Sequence, residues 1–301
     1  MSTQKTTLEF GKRRFPATNL DKVLFPKDGI TKGEIIAYYD FIAPWMLTHV
    51  KGRALSLQRY PDGIDAFSFF QRNIGEHFPD WIGRATLKMS DGNLTSVVCD
   101  NNACLAYLGS QAAFVIHSHL SLAKSPHTPV EIIWDLDPSG DDFELVRGTA
   151  FELRDLLMEL GLVPFVKTTG SRGLHVVVPV KGVKDFDDSR DFAARVAALM
   201  VARHPDKLTV EHRKAKRGGR LYFDVARNGY TQTAVAPYSI RALAKAPIAT
   251  PITWDELKSR KLTSQSFNIG NIRARMKAAG DPWADIRKHA KSLNAALKKL
   301  S

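Results

Sequence analysis

The sequence predicts an α+β fold: a central, mostly antiparallel sheet flanked by helices, with an N-terminal portion packed beside it. Three observations predict it. Short β-branched and aromatic runs end at Gly, Pro and Asp turns. Stretches with a helical apolar period separate those runs. A composition of 44% hydrophobic and 25% charged residues over 301 positions is that of a folded globular chain with a real core.

In chain order, Thr31 reads as an N-cap with Glu34 three residues later, and Ile35, Ile36, Tyr39 and Ile42 follow, predicting a helix over 31–49 with a capping box. Strand-like runs follow at 54–59, 66–70, 85–89 and 94–98, broken by Pro-Asp-Gly and Ser-Asp-Gly turns. A helix is expected from Asn101 to Ala113, and FVIH reads as a short strand ending in His117. EIIWDLDPSG (131–140) reads as a buried strand, and after it Phe143, Val146, Ala150, Leu153, Leu157 and Leu160 mark one helical face, capped by Asp141 or Asp142 and stopped by Gly161. VPFVKTTGSRGLHVVVPV reads as two strands around a glycine turn, 188–202 as a helix, GRLYFDV and YTQTAVAPYSI as extended runs, and the tail from Pro282 as basic and helical.

The 43 Lys and Arg against 31 Asp and Glu give a net charge of +12, which favours a polyanionic partner such as nucleic acid. Two cysteines, Cys99 and Cys104, with no CxxC and no Cys/His spacing suited to zinc, imply reduced structural thiols rather than a disulfide framework. The first sixteen residues lack a continuous apolar segment, and no run of 18 apolar residues occurs anywhere. A cytoplasmic, nucleoid-associated protein without a membrane partner is the expectation.

The acids at 135 and 137 carry the chemistry. Strand side chains alternate faces at about 3.3 Å per residue, so Asp135 and Asp137 point together, roughly 7 Å apart, while Leu136 points away. Like charges that close repel unless a cation sits between them; solvated turn acids are the bland alternative. Asp224, on a strand face with Tyr222, would complete a three-carboxylate set of hard oxygen donors suited to two Mg²⁺ or Mn²⁺ ions. KTTGSRGLH (167–175) adds hydroxyls, amides freed by Gly170 and Gly173, and Arg172 and His175, a turn able to wrap a triphosphate or simply to close a hairpin. It lacks the GxxxxGK[ST] spacing of a Walker A loop. HRKAKRGGR (212–220) concentrates cations one strand away, and Phe67, Phe69 and Phe70 alternate so that one ring requires an explanation beyond core packing.

In order along nearly the whole chain, TNLDKVLFP, AFSFFQRN, IIWDLDP, TTGSRGLHVVVP, RLYFDVARN and VAPYSIRA resemble the polymerase domain of bacterial DNA ligase D and its free-standing relatives, within the archaeo-eukaryotic primase superfamily. The resemblance implies one primase-polymerase domain over 1–301, with 1–115 binding the DNA end and 116–301 forming the catalytic core and basic C-terminal helices. It implies that Asp135, Asp137 and Asp224 are the metal-binding catalytic acids, and that Thr169, Ser171, Arg172, His175 and Arg241 bind the triphosphate, with His117 near sugar and phosphates. Asn19, Lys22 and Lys32 correspond to a pocket for the 5′-phosphate of a downstream strand, Phe69 and Phe70 to base-stacking aromatics, and Arg217 to a template-side cation. His119 stands where relatives often carry tryptophan, and Gln58 where they can carry lysine. No KxDG ligase motif occurs, so ligation must come from other proteins or other regions of a larger chain.

The function so implied is metal-dependent extension of DNA 3′-OH ends at gaps and double-strand breaks in non-homologous end joining. It would use NTPs or dNTPs with ribonucleotides preferred, and Ku and a DNA ligase as partners. The rivals are a non-catalytic DNA-end-binding module that recruits a ligase, and a two-metal nuclease.

Overall fold

Thr31 caps the first long helix, Lys32–Val50, through the expected capping box: the Thr31 hydroxyl accepts from the Glu34 amide, and the Glu34 carboxylate accepts from the Thr31 amide. The computed structural model to which this helix belongs describes residues 5–90 and 92–300; Asp91, the middle of the expected Ser-Asp-Gly turn, lies outside the described residues. The chain divides into two units. One comprises Met1–His119, Val235–Ile248 and Phe267–Gly280, and the other Leu120–Ala234, Ala249–Ser266 and Asp281–Ser301.

In the first unit, Lys32–Val50 and the helix Asn102–Ser110 carry most of the core with Tyr38, Tyr39, Leu105, Leu108 and Phe114, all essentially inaccessible. Cys99 and Cys104 are free thiols buried in that core. Its strands follow the order Val115–His119, Ala54–Arg59, Gly92–Val98, Gly83–Met89, with Phe69–Gln71 added against Ala54–Arg59. The expected strand over 66–70 begins only at Phe69 because its partner strand ends at Arg59, the residue opposite Phe69. The residues that return at 235–248 and 267–280 join this core through Tyr238, Ile240, Ile272 and Met276.

In the second unit the sheet runs Leu208–Thr209, Leu221–Asp224, Glu131–Asp137, Leu174–Pro179, Phe165–Thr168, Pro251–Ile252, antiparallel except between the first two. The expected α+β class and mostly antiparallel pairing hold, the second unit carrying this sheet and the first unit a further one. Alternation along Glu131–Asp137 sends Ile132, Trp134 and Leu136 to the buried face. There Trp134 meets Phe192 of the helix Phe186–Arg203 and donates its indole N–H to Ala193 O at 3.0 Å. The helix Phe143–Glu159 begins at Asp142, whose carboxylate accepts from Leu145 N, and stops before Gly161 at φ +85°. The other sheet face carries the acids.

Two extended or helical expectations change. The 230–240 run is a strand only over Thr233–Val235, because Pro237 has no N–H and Tyr238 takes a left-handed φ of +66°. The tail is helical only over Asn294–Leu300, after a 3₁₀ turn at Ile286–His289. Between them Lys291 exchanges backbone hydrogen bonds with Pro179 and Lys181, which holds that stretch extended. Among the described residues no helix is long and apolar enough to cross a membrane.

Candidate active site

Asp135 and Asp224 stand directly opposite each other on adjacent antiparallel strands, and Asp137 lies two residues along the same face. Directly opposed side chains in such a pair approach to about 5 Å at Cβ, so the strand pairing itself sets two carboxylates against one spot. His175 lies opposite Asp135 on the other side, its Nε2 3.4 Å from Asp135 Oδ1, and Lys167 is the next residue across. Arg227 bridges Asp224 at 3.2 Å and Asp135 at 3.8 Å. Asp137 is gripped by Arg172 on Oδ1 and Arg217 on Oδ2, both at 3.1 Å.

This surrounding sets the ionisation. Burial alone would push the Asp135 carboxyl up, but His175, Arg227 and Lys167 outweigh it and hold it at about 2. Burial, together with Lys167, pushes the His175 imidazole down to about 4, so at neutral pH it is neutral beside an ionised Asp135. Its Nδ1 is buried and finds no hydrogen-bond partner among the described residues. Burial and the charge of Asp135 raise the Asp224 carboxyl, with Arg227 opposing. Two facing carboxylates of which one is destabilised by the other form an environment that favours a cation.

As the side chains stand, no three His, Cys, Asp or Glu among the described residues converge on a ready metal position. Guanidinium groups occupy the carboxylates instead. The donor set nevertheless fits hard divalent ions: three carboxylates share one face, two of them in direct register, and the third is held by side chains of which Arg172 is substantially exposed.

The turn that follows Phe165–Thr168 is built against this face. Gly170 takes φ +67°, and a Cβ on Gly173 would sit 1.9 Å from Leu136 O, the carbonyl between the two acids. Only glycine allows the approach. Thr169 Oγ accepts from the amides of Ser171 and Gly173 at 3.3 and 3.2 Å, closing the turn on itself. Beside it, Ser171, Arg172, Phe143, Thr263, Ser264 and Gln265 are among the residues lining a recess of about 260 Å³.

Of the residues singled out from sequence, Asp135, Asp137, Asp224, Thr169, Ser171, Arg172, His175 and Arg217 thus gather in the second unit. Arg217 is buried, with its Nε and Nη2 on the carbonyls of Glu211 and His212 and its guanidinium 3.9 Å from the Tyr222 ring centre. It holds Asp137, and the exposed cations of that loop are Arg213, Lys214 and Lys216. Sequence reasoning missed Arg227, Lys167, Ser264 and Gln265. Arg227 had a signal, three residues past Asp224 in DVAR. Ser264 had none, being 91 residues from the carbonyl it serves.

His117, Arg241, Phe69, Phe70, Asn19, Lys22 and Lys32 belong to the first unit. Phe70 is exposed and edge-on to His117 at 5.9 Å. Phe69 is half-buried, with the Arg59 guanidinium 5.5 Å from its ring centre and Phe67 stacked at 5.9 Å, while Phe67 and Phe70 are exposed. Asn19 (φ +54°), Leu20, Asp21, Lys22 and Thr6 line a cavity of about 650 Å³. The adjoining helix start is not a free anion site: the amides of Lys32, Gly33 and Glu34 already donate to Lys22 O, Leu20 O and Thr31 Oγ. Positive charge there comes from side chains. Lys22 pairs with Asp62 at 2.5 Å, and Lys32, buried and bonded to Thr18 O, has its ammonium pKa lowered by burial and then by Lys22 and Arg59.

An antiparallel sheet that presents three aspartates beside a glycine-pinned hydroxyl turn defines an α+β protein with a carboxylate-centred site suited to divalent cations. The family model for the LigD primase-polymerase domain matches residues 31–283, and the chain belongs to that family. It is 33% identical over 265 residues to the multifunctional non-homologous end joining protein LigD of Mycobacterium bovis, covering 85% of this chain and 35% of that one. It is 31% identical over 287 residues to the bifunctional LigD of Bacillus subtilis, covering 94% and 46%. The chain therefore spans less than half the length of these relatives. The polymerase domain of Mycobacterium tuberculosis ligase D, solved in complex with DNA, superposes with a TM-score of 0.85 at 31% identity over 93% of this chain and all of that one.

Proposed function

We propose that this chain is a DNA-repair nucleotidyltransferase that adds nucleotides to DNA 3′-OH ends at gaps and breaks during non-homologous end joining. The observation that carries the reading is the register of Asp135 against Asp224, with Asp137 on the same face beside the Thr169–Gly173 turn. Two divalent ions, Mn²⁺ or Mg²⁺, held by these acids would supply activation of the 3′-OH and neutralisation of the leaving pyrophosphate. The chain's own residues bind and orient: Arg172 exchanges Asp137 for phosphate oxygens, Ser171 and Thr169 shape the turn, Arg227 and Lys167 keep Asp135 ionised, and neutral His175 directs it.

The family resemblance further assigns Arg241 and His117 to the nucleotide, Asn19, Lys22 and Lys32 to a downstream 5′-phosphate, and a preference for ribonucleotides. Base stacking falls by that resemblance to Phe69 and Phe70, with the exposed Phe67, stacked on Phe69, offering a third ring. Ku and a DNA ligase are the partners such a domain would serve. Incubation with a gapped duplex, Mn²⁺ and each NTP and dNTP tests the proposal against its rivals. Extension is expected; shortening would make the chain a nuclease, and retention without either would make it an end-binding module.

A further inference from the structure

Building on the nucleotide reading above, we propose that Ser264 and Gln265 are positioning residues that hold the Thr169–Gly173 turn in its phosphate-receiving shape, and that Arg147 anchors the segment carrying them. If that reading fails, the turn can still be probed by nucleotide binding alone.

The turn's own hydrogen bonds all pass through Thr169. Its internal bonds run through one hydroxyl, Thr169 Oγ, and one backbone pair, Thr169 N to Gly173 O at 3.1 Å. From outside, the buried Ser264 donates its hydroxyl to Gly173 O at 2.8 Å and lies 3.1 Å from Thr169 Oγ, itself a second hydroxyl donor to that carbonyl at 3.1 Å. Gln265 donates Nε2 to Ser171 O at 2.8 Å. The carbonyls of residues 171 and 173 are thereby tied to donors. A carbonyl oxygen is the negative end of its peptide dipole and repels a phosphate, so tying these two keeps them from turning toward an incoming triphosphate.

Ser264 and Gln265 lie on irregular chain that depends on an anchor. Arg147, buried in the helix Phe143–Glu159, donates Nη1 to the carbonyls of Leu257 and Ser259 and Nη2 to that of Leu262. Glu144 holds its Nε at 3.2 Å, and the Phe143 ring lies 5.2 Å from the guanidinium. One guanidinium thus collects three carbonyls of the segment just before Thr263 and fixes where Ser264 and Gln265 begin. Lysine could not replace it, since an ammonium lacks the planar fork that reaches three acceptors from two nitrogens.

The test compares the unmodified protein with Ser264→Ala, Gln265→Met and Ser264→Thr. It measures equilibrium binding of a fluorescent NTP, steady-state extension of a gapped duplex at varied NTP, affinity for that duplex, and Tm. Ser264→Ala and Gln265→Met should each weaken nucleotide binding and raise the nucleotide KM about tenfold, with duplex affinity and Tm nearly unchanged. Ser264→Thr, which keeps the hydroxyl, should recover most of the loss. Unaltered nucleotide binding in both variants overturns the proposal, as does a parallel fall of nucleotide binding, duplex affinity and Tm, the mark of a merely structural residue. An unmodified protein that binds the NTP without transferring it would defeat the polymerase reading alone; one that does not bind it would defeat both.

Discussion

Asp135 and Asp224 face each other across one antiparallel register, with Arg227 against both carboxylates. No loop brings them together; they meet because two strands pair as they do. A carboxylate placed opposite another is destabilising unless a cation compensates, and here the compensation comes from side chains that an ion could replace. The active-site reading rests on that relationship.

The approach of Gly173 to Leu136 O makes the turn and the acidic strand one piece. Gly173→Ala should destabilise the protein by about 3 kcal/mol, because the added methyl has only backbone to push against. Extension activity should fall with it, since Leu136 carries Asp135 and Asp137 on either side. Urea unfolding followed by circular dichroism measures the first effect, and a variant as stable as the parent would show that the turn moves freely against the strand.

Lys22 in the 650 Å³ cavity, with Lys32 at the adjoining helix start, leads to a substrate preference. A gapped duplex with a downstream 5′-phosphate should bind and be extended several-fold better than one with a 5′-OH, and the double change Lys22→Ala, Lys32→Ala should erase the difference while sparing a simple primer-template. Because the helix amides are already bonded, the two lysines alone should account for the effect. Equal use of both duplexes by the unmodified protein would remove the pocket from the account.

Exposed rings offer a face to an unpaired base. Phe67→Ala and Phe70→Ala should each cost on the order of 1–2 kcal/mol in affinity for single-stranded overhangs, read by fluorescence anisotropy, and Phe69→Leu should in addition loosen Phe67. Wild-type affinity in Phe67→Ala would return the stacking role to Phe69 and Phe70.

His119 links stability to pH. Burial, then Arg72 and Arg53, pushes its imidazole down to about 4 from an ordinary 6.5, so the folded state prefers it neutral while the unfolded chain takes up a proton as pH falls. Its contribution is fully present above about pH 6.5 and is lost as pH falls toward 4, about 2 kcal/mol between pH 7.5 and pH 5. Denaturant unfolding at those two pH values should show a smaller loss in His119→Phe than in the parent; equal losses would mean that the histidine is solvated.

What could be read from the sequence was local or periodic. The capping box of Thr31 and Glu34, the Asp142 cap, the Gly161 stop and the shared face of Asp135 and Asp137 all depend on residues within one turn or one strand. From its own strand Asp224 reads as an acid in apolar surroundings, and the family resemblance gives it a role; its place opposite Asp135 is a matter of pairing. The partners that complete the site were hidden for the same reason. Ser264 reaches Gly173 and Arg147 reaches Leu257 across gaps of 91 and 110 residues, and no period or motif records such contacts. The chain's return to the first unit at 235–248 and 267–280 is likewise decided by burial of Tyr238, Ile240, Ile272 and Met276.

Asp224→Asn keeps size and one acceptor oxygen for the Ala226 amide while removing one charge from the facing pair, so it tests the carboxylate chemistry. The decisive measurement is the rate of single-nucleotide extension of a 5′-phosphorylated gapped duplex in Mn²⁺ by the unmodified protein and by Asp224→Asn, with duplex affinity measured in parallel. The account predicts a loss of at least about a thousandfold in rate at unchanged affinity, because the phosphate contacts lie on Lys and Arg elsewhere. Extension by the variant at the parent rate would contradict it.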